Sequence, residues 1–127
     1  MSRKMNALKS HTISYCLSLP YAEESFPFDQ KTLVVKVGGK MFALTDILED
    51  NCSFNLKCDP ERAEELRAMY SQVQPGYHMS KIHWNTVEYD NMEIHWNLMK
   101  DLIDHSYDLV YSSLTKAKKR SLNEIKF

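Results

Sequence analysis

The residues best suited to chemistry in this chain lie close together. His78, Lys81, His83 and Trp84 put two imidazoles, an ammonium and an indole around one short stretch. Cations of this kind contact phosphate, and an indole face can stack on an unpaired base. A structural account is equally concrete: a Trp in a strand belongs in a core, and a His beside the Pro75-Gly76 turn hydrogen-bonds backbone. Lys81 and His78 fall on a predicted loop, where polar residues lean towards function.

Other chemistries find less support. His78 and His83 are five residues apart and His95 lies beyond a turn, but no carboxylate or thiol completes a compact metal-ligand set. Cys16, Cys52 and Cys58 are odd in number and lack the two-residue spacing of zinc ribbons and redox couples, so free thiols in a reducing cytoplasm are expected. Cys58 alternates in phase with Phe54 and Leu56, which marks it as a small buried hydrophobe. Gly38-Gly39 sits between two β-rich runs and does not open a helix, so it is no phosphate loop. Ser, His and Asp are all present without any arrangement that singles out a catalytic triad. No cofactor and no enzymatic activity are expected.

A second set of candidates is cationic. Lys31, Lys36 and Lys40 surround the Gly-Gly turn, and a two-stranded ribbon of this kind can flank a DNA groove as a wing. Lys57 joins them, and Lys116, Lys118, Lys119 and Arg120 add a potential phosphate clamp. Lysines also keep hairpins soluble and discourage edge pairing. The net charge is only −1, yet it is unevenly spread. Residues 1–40 sum to +3, residues 41–110 to −8 and residues 111–127 to +4, so both ends are basic around an acidic middle.

These residues need a scaffold. At 127 residues, 43% hydrophobic and 26% charged, the chain suits one globular domain over 1–127 that buries roughly two thirds of its unfolded surface. Met1 to Lys9 is followed by polar Ser10, His11 and Thr12, so no secretory signal is expected, and no apolar run approaches the ~20 residues that span a bilayer. Met5, Leu8, Thr12, Tyr15 and Leu19 predict a first helix ending at Pro20. Phe26 and Phe28 suggest a short edge strand or extended lead-in. Residues 32–37 and 40–45 predict a hairpin about Gly38-Gly39, and Ser53 to Cys58 a third strand. Asp59-Pro60-Glu61 opens a helix with an N-cap, an N1 proline and a first-turn acid, placing Ala63, Leu66 and Tyr70 inward. Gln74-Pro75-Gly76 predicts a turn and Ile82 to Tyr89 a last strand. Ile94 to Leu114 keeps helical spacing, as one helix or two joined near Asp104 or Ser106. A basic, exposed tail follows from about residue 115.

With Lys40 to Leu44, Leu56 to Glu61, Pro75 to Val87 and Ser106 to Val110 in view, the chain closely resembles the MmcQ/YjbR family of small bacterial proteins over nearly its whole length. The stretch Pro75-Gly76-Tyr77-His78-Met79-Ser80-Lys81-Ile82-His83-Trp84-Asn85-Thr86-Val87 is the most specific part. The resemblance implies an α+β fold like the bacterial frataxin homologue, CyaY-like, with a twisted antiparallel sheet carrying helices on one face. It also implies DNA as a partner; an anionic or aromatic small molecule, or a protein, held by the His78 to Trp84 cluster is the alternative. The frataxin-like fold invites an iron reading of Glu61, Glu64 and Glu65, which the helix macrodipole explains as well. Two positions depart from the family pattern: Pro20-Tyr21 and Asp90-Asn91 stand where Pro-Gly and Asp-Gly are usual.

Overall fold

Gly38 and Gly39 have φ of +58° and +83°, the left-handed backbone that a two-residue hairpin needs. They join β2 (Thr32–Val37) to β3 (Lys40–Asp46) as expected. The structure, a computed structural model, describes residues 6–76 and 79–125. Around the hairpin stand α1 (Ala7–Ser18), β1 (Ala22–Ser25), β4 (Ser53–Lys57), α2 (Pro60–Met69), β5 (Val73–Pro75), β6 (Trp84–Glu88), α3 (Trp96–Ser112) and α4 (Lys116–Ile125). The strands form one open antiparallel sheet in the order β1-β2-β3-β4-β6-β5.

Alternation decides which face meets the helices. Leu33, Val35 and Val37 of β2, Phe54 and Leu56 of β4 and Val87 of β6 point to one side and enter the main core. The helices bring Ile13 and Cys16, Ala63 and Leu66, Met99 and Ile103, and Leu122 to the same core, so all four pack on that face. Among the described residues the opposite face carries no helix. There Val34, Leu44 and Trp84 form a small second cluster, flanked by Met41 and by Met79 from the segment before β6.

Helix α2 begins as its sequence predicts: Asp59 accepts the amide of Arg62, and Pro60 occupies the first turn. Several expectations are corrected, among them the turn at Gln74-Pro75-Gly76, whose Gln74 and Pro75 belong to the edge strand β5. The buried face of α1 is Lys9, Thr12, Ile13 and Cys16, while Leu8, Tyr15 and Leu19 are only half-buried and Met5 lies outside the described residues. Lys9 is wholly buried because its ammonium donates to the carbonyls of Asp46 at the end of β3 (2.6 Å) and of Glu49 in the β3–β4 loop. The edge strand is Ala22–Ser25, with Phe26 and Phe28 exposed beyond it. Strand β6 starts at Trp84, because Ile82 and His83 belong to a turn. The helical joint falls after Ser112, near Leu114, and the expected basic tail is largely the helix α4, which Leu122 anchors in the core.

Tyr21 and Asn91, at the two departures from the family pattern, have φ of +65° and +61°. The backbone therefore keeps a glycine-like turn at both places. Asn91 adapts easily and its side chain accepts the amide of Trp96 at 3.0 Å. Tyr21 uses its hydroxyl to reach Asn123 of α4.

Candidate functional site

The registers fix where the candidate cations lie. Lys36 pairs with Met41 beside the hairpin turn, Lys57 pairs with Trp84, and the amide of Cys58 continues that ladder to the carbonyl of His83 at 2.8 Å. Lys36, Lys57 and Trp84 therefore occupy the same end of the sheet and its helix-free face. Lys40 begins β3 at this end, and its ammonium meets the Ser113 hydroxyl at 3.3 Å. Leu114 packs so closely on Gly38 that α4, with Lys116, Lys118, Lys119 and Arg120, starts behind the hairpin on the helix side. Lys119 lies 5.3 Å from the Tyr111 ring centre. Lys81 and His83 are exposed on the turn that leads into β6. His78 lies outside the described residues.

Lys31 does not join this group. It sits at the far end of the sheet, 3.8 Å from Asp46. The β1–β2 loop, the β3–β4 loop and the end of β6 also place Asp29, Glu49, Asp50, Glu88 and Asp90 at that end. The only described ion pairs are Lys31–Asp46, Arg62–Asp101 and Lys100–Asp104, so the cations at the hairpin end have no carboxylate within ion-pair distance among the described residues. Acids are not absent from this end: Glu23 lies opposite Lys36 on β1, and Glu61, Glu64 and Glu65 are on α2.

Trp84 is a structural residue. It is 8% exposed, packed with Val34 and Leu44, and cannot offer its ring to a base. Its backbone carbonyl accepts from the amide of Gly76 at 2.8 Å and from the Arg67 guanidinium at 3.3 Å. A side chain on Gly76 would lie 2.7 Å from the Trp84 Cβ, so only glycine fits there. Arg67 organises the most specific stretch of the sequence. Its Nε donates to Asn85 Oδ1 at 2.7 Å, and its terminal nitrogen also donates to the carbonyl of Lys81. Asn85, 2% exposed, returns a bond to the carbonyl of Ala63 at 3.5 Å. Arg67 escapes a motif search because it lies far from its partners in sequence.

The described concavities do not enclose the cluster. One holds about 10 Å³, hardly room for a water, between Leu56, Lys57, Leu66, Asn85 and Leu102. The other, about 360 Å³, is an open groove at the far end among Asn6, Asn51, Gln72, Glu88 and Asp90. Neither is lined by Lys81, His83 or Trp84. Among the described residues no three His, Cys, Asp or Glu side chains gather as a metal-ligand set. All three cysteines are buried and unpaired. Burial pushes the Cys16 thiol up to about 12 and also raises Cys52 and Cys58, so none is held as a thiolate nucleophile. No described helix is long and apolar enough to cross a membrane.

Fold and site together define a small α+β domain, an open six-stranded antiparallel sheet with four helices on one face and a cation-bearing end. The YjbR family model matches residues 17–109, and the chain belongs to the YjbR family. It is 41% identical over 100 residues to the uncharacterised protein YbdF of Escherichia coli O157:H7, covering 79% of this chain and 81% of that protein. It is 33% identical over 120 residues to the uncharacterised protein YjbR of Escherichia coli K12, covering 91% and 98%. The crystal structure of Deinococcus radiodurans protein DR2400, of the domain family DUF419, superposes with a TM-score of 0.83 at 41% identity, covering 97% of this chain and 92% of that one. A Pseudomonas syringae protein at 23% identity shares the fold, with a TM-score of 0.67 over 87% of this chain and 99% of that one.

Proposed function

We propose that this protein is a non-enzymatic, cytoplasmic nucleic-acid-binding module that holds duplex DNA by its phosphates. The contact surface is the hairpin end of the sheet. Lys36 and Lys57 supply charge from the helix-free face, Lys40 from the hairpin and Lys81 from the adjoining turn, where His83 adds a ring N–H donor, and the start of α4 extends the positive field behind the hairpin. The observation that carries this reading is the gathering of cations from four separate stretches of sequence at one end, with no carboxylate within ion-pair distance among the described residues, while Asp29, Asp46, Glu49, Asp50, Glu88 and Asp90 occupy the other.

Electrostatics then sets the character of binding. With a net charge of −1 there is no global attraction, so affinity depends on the local field. That field is screened over about 8 Å at physiological ionic strength, and binding should fade steeply with salt. Trp84 is left out of the contact surface because it is buried. A gel-shift titration of a labelled random-sequence duplex at about 50 and 200 mM salt tests the reading. Binding at low salt that collapses at high salt supports it; no shift at either concentration refutes it.

A further inference from the structure

Ile82 is 64% exposed between exposed Lys81 and His83 on the turn before β6. Single exposed apolar side chains are ordinary on protein surfaces and carry nothing alone. This one differs from the others in its setting. Phe28, Leu48 and Met92 each adjoin an acid, Asp29, Glu49 and Glu93, while Phe26 adjoins Pro27 and Met69 lies between Ala68 and Tyr70. Among the described exposed apolar residues, Ile82 alone is flanked on both sides by groups that can bind phosphate, at the end of the sheet where cations without a described carboxylate partner gather.

The turn is also fixed. The amides of His83 and Trp84 both donate to the carbonyl of Ser80, at 3.2 and 2.9 Å. Arg67 grips the carbonyl of Lys81 from α2, and the amide of Cys58 grips that of His83 from the end of β4. A side chain that enters a stacked duplex must be held stiffly, because unstacking costs free energy that a yielding loop would not supply.

Resting on the DNA-binding reading above, we infer that Ile82 is an apolar wedge that enters a base step from the minor groove, with Lys81 and His83 on the flanking phosphates, and kinks the duplex. Such wedges unstack bases partially and bend DNA towards the major groove. The bend wraps the duplex towards Lys57 on the adjoining β4 and Lys36 two strands beyond it. Flexible pyrimidine–purine steps are then favoured without any base-edge hydrogen bond.

The test uses the full chain, low salt and duplexes carrying either 2-aminopurine at a central TA step or a fluorophore pair at the two ends. Wild type should raise the 2-aminopurine emission and shorten the end-to-end distance. Ile82→Ala should abolish both signals, weaken binding about tenfold and leave the salt dependence unchanged, whereas Ile82→Leu should restore the signals. Thermal melting checks that the exposed substitution leaves the fold intact. Duplex binding by wild type without unstacking, or unstacking that survives Ile82→Ala, overturns the wedge while leaving phosphate binding in place. Absence of duplex binding overturns both. Ile82-dependent binding to phosphatidylglycerol vesicles, with duplex binding unaffected by Ile82→Ala, would make the turn a membrane contact and also overturn the wedge.

Discussion

The hydroxyl of Ser106, in the middle of α3, accepts the backbone amide of Lys57 at 2.9 Å. The same oxygen donates to the carbonyl of Phe42 at 2.6 Å. The paired residues of β3 and β4 stop at Ala43 and Leu56, and β3 carries its register irregularity beside Phe42. A helical side chain thus bridges the gap between two strands, at the point where Lys57 turns its own side chain to the helix-free face. The helix layer is tied directly to the candidate surface.

Replacing Ser106 with Ala should be expensive. Ser106 is fully buried, and its loss removes the side-chain partner of one amide and one carbonyl in the interior. A destabilisation of about 2–3 kcal/mol is expected. Urea denaturation measures it; a change below about 0.5 kcal/mol would show that the strands close the gap unaided.

Arg67→Ala should loosen the turn that carries Lys81, Ile82 and His83. The side chain of Asn85 and the carbonyl of Lys81 lose the Arg67 donor, while the carbonyl of Trp84 keeps only the amide of Gly76. The expected cost is roughly 2–3 kcal/mol. Amide hydrogen exchange at His83 and Trp84 should accelerate more than in β2. Uniform acceleration across the sheet would instead mean that Arg67 has only a global role.

The two glycines of the hairpin should respond differently to substitution. Both have positive φ, which costs an alanine about 1 kcal/mol. A Cβ on Gly39 meets nothing within 4 Å, whereas one on Gly38 would lie 2.6 Å from Leu114 Cδ1. Gly38→Ala should therefore lower the melting temperature more than Gly39→Ala and shift the fluorescence of Tyr111 beside α4. Equal melting temperatures would mean that Leu114 yields without cost.

His105 gives the fold a pH dependence of definite sign. Its Nε2 accepts the amide of Asp59 at 3.1 Å, an arrangement that requires the neutral ring. Burial first, and then Arg62, lowers its pKa below the usual 6.5. The unfolded chain thus takes up the proton first, and this stabilising contribution, complete above about pH 6.5, is lost as pH falls through the folded value. Melting temperatures of wild type and His105→Gln should converge as pH is lowered from about 7.5 to 5. Parallel curves would remove His105 from the account.

The legible parts of the fold are those set by local chemistry. Gly38-Gly39 announces its turn, Asp59-Pro60 its helix, and Phe54, Leu56 and Cys58 their common face. The first helix was harder because Lys9 is buried by carbonyls some forty residues away, a partnership that no periodicity contains. Strand β1 carries Glu23 and Glu24 and lacks any apolar alternation, so only its pairing with β2 reveals it. Lys116 to Arg120 read as a tail because the core anchor among the described side chains of α4, Leu122, lies just beyond the charge run. Within the candidate site, the cations were visible but their convergence depended on strand register. Trp84 stood out as a possible stacking platform, yet its strand turns it into the small cluster with Val34 and Leu44. Arg67, which fixes the turn, gives no sign because it looks like an ordinary polar residue of its helix, and Asn85 stands within the specific Pro75 to Val87 stretch without showing its partner.

The central claim is that the hairpin end meets phosphate. It is tested most directly by the slope of log affinity against log salt for a random-sequence duplex, compared among wild type, the Lys36→Glu/Lys57→Glu pair and Lys31→Glu, whose lysine already faces Asp46 at the far end. The account predicts weaker binding for the double variant, a slope shallower by about one for each reversed lysine, and little change for Lys31→Glu. Identical slopes for wild type and the double variant, or an equal loss from Lys31→Glu, would contradict it.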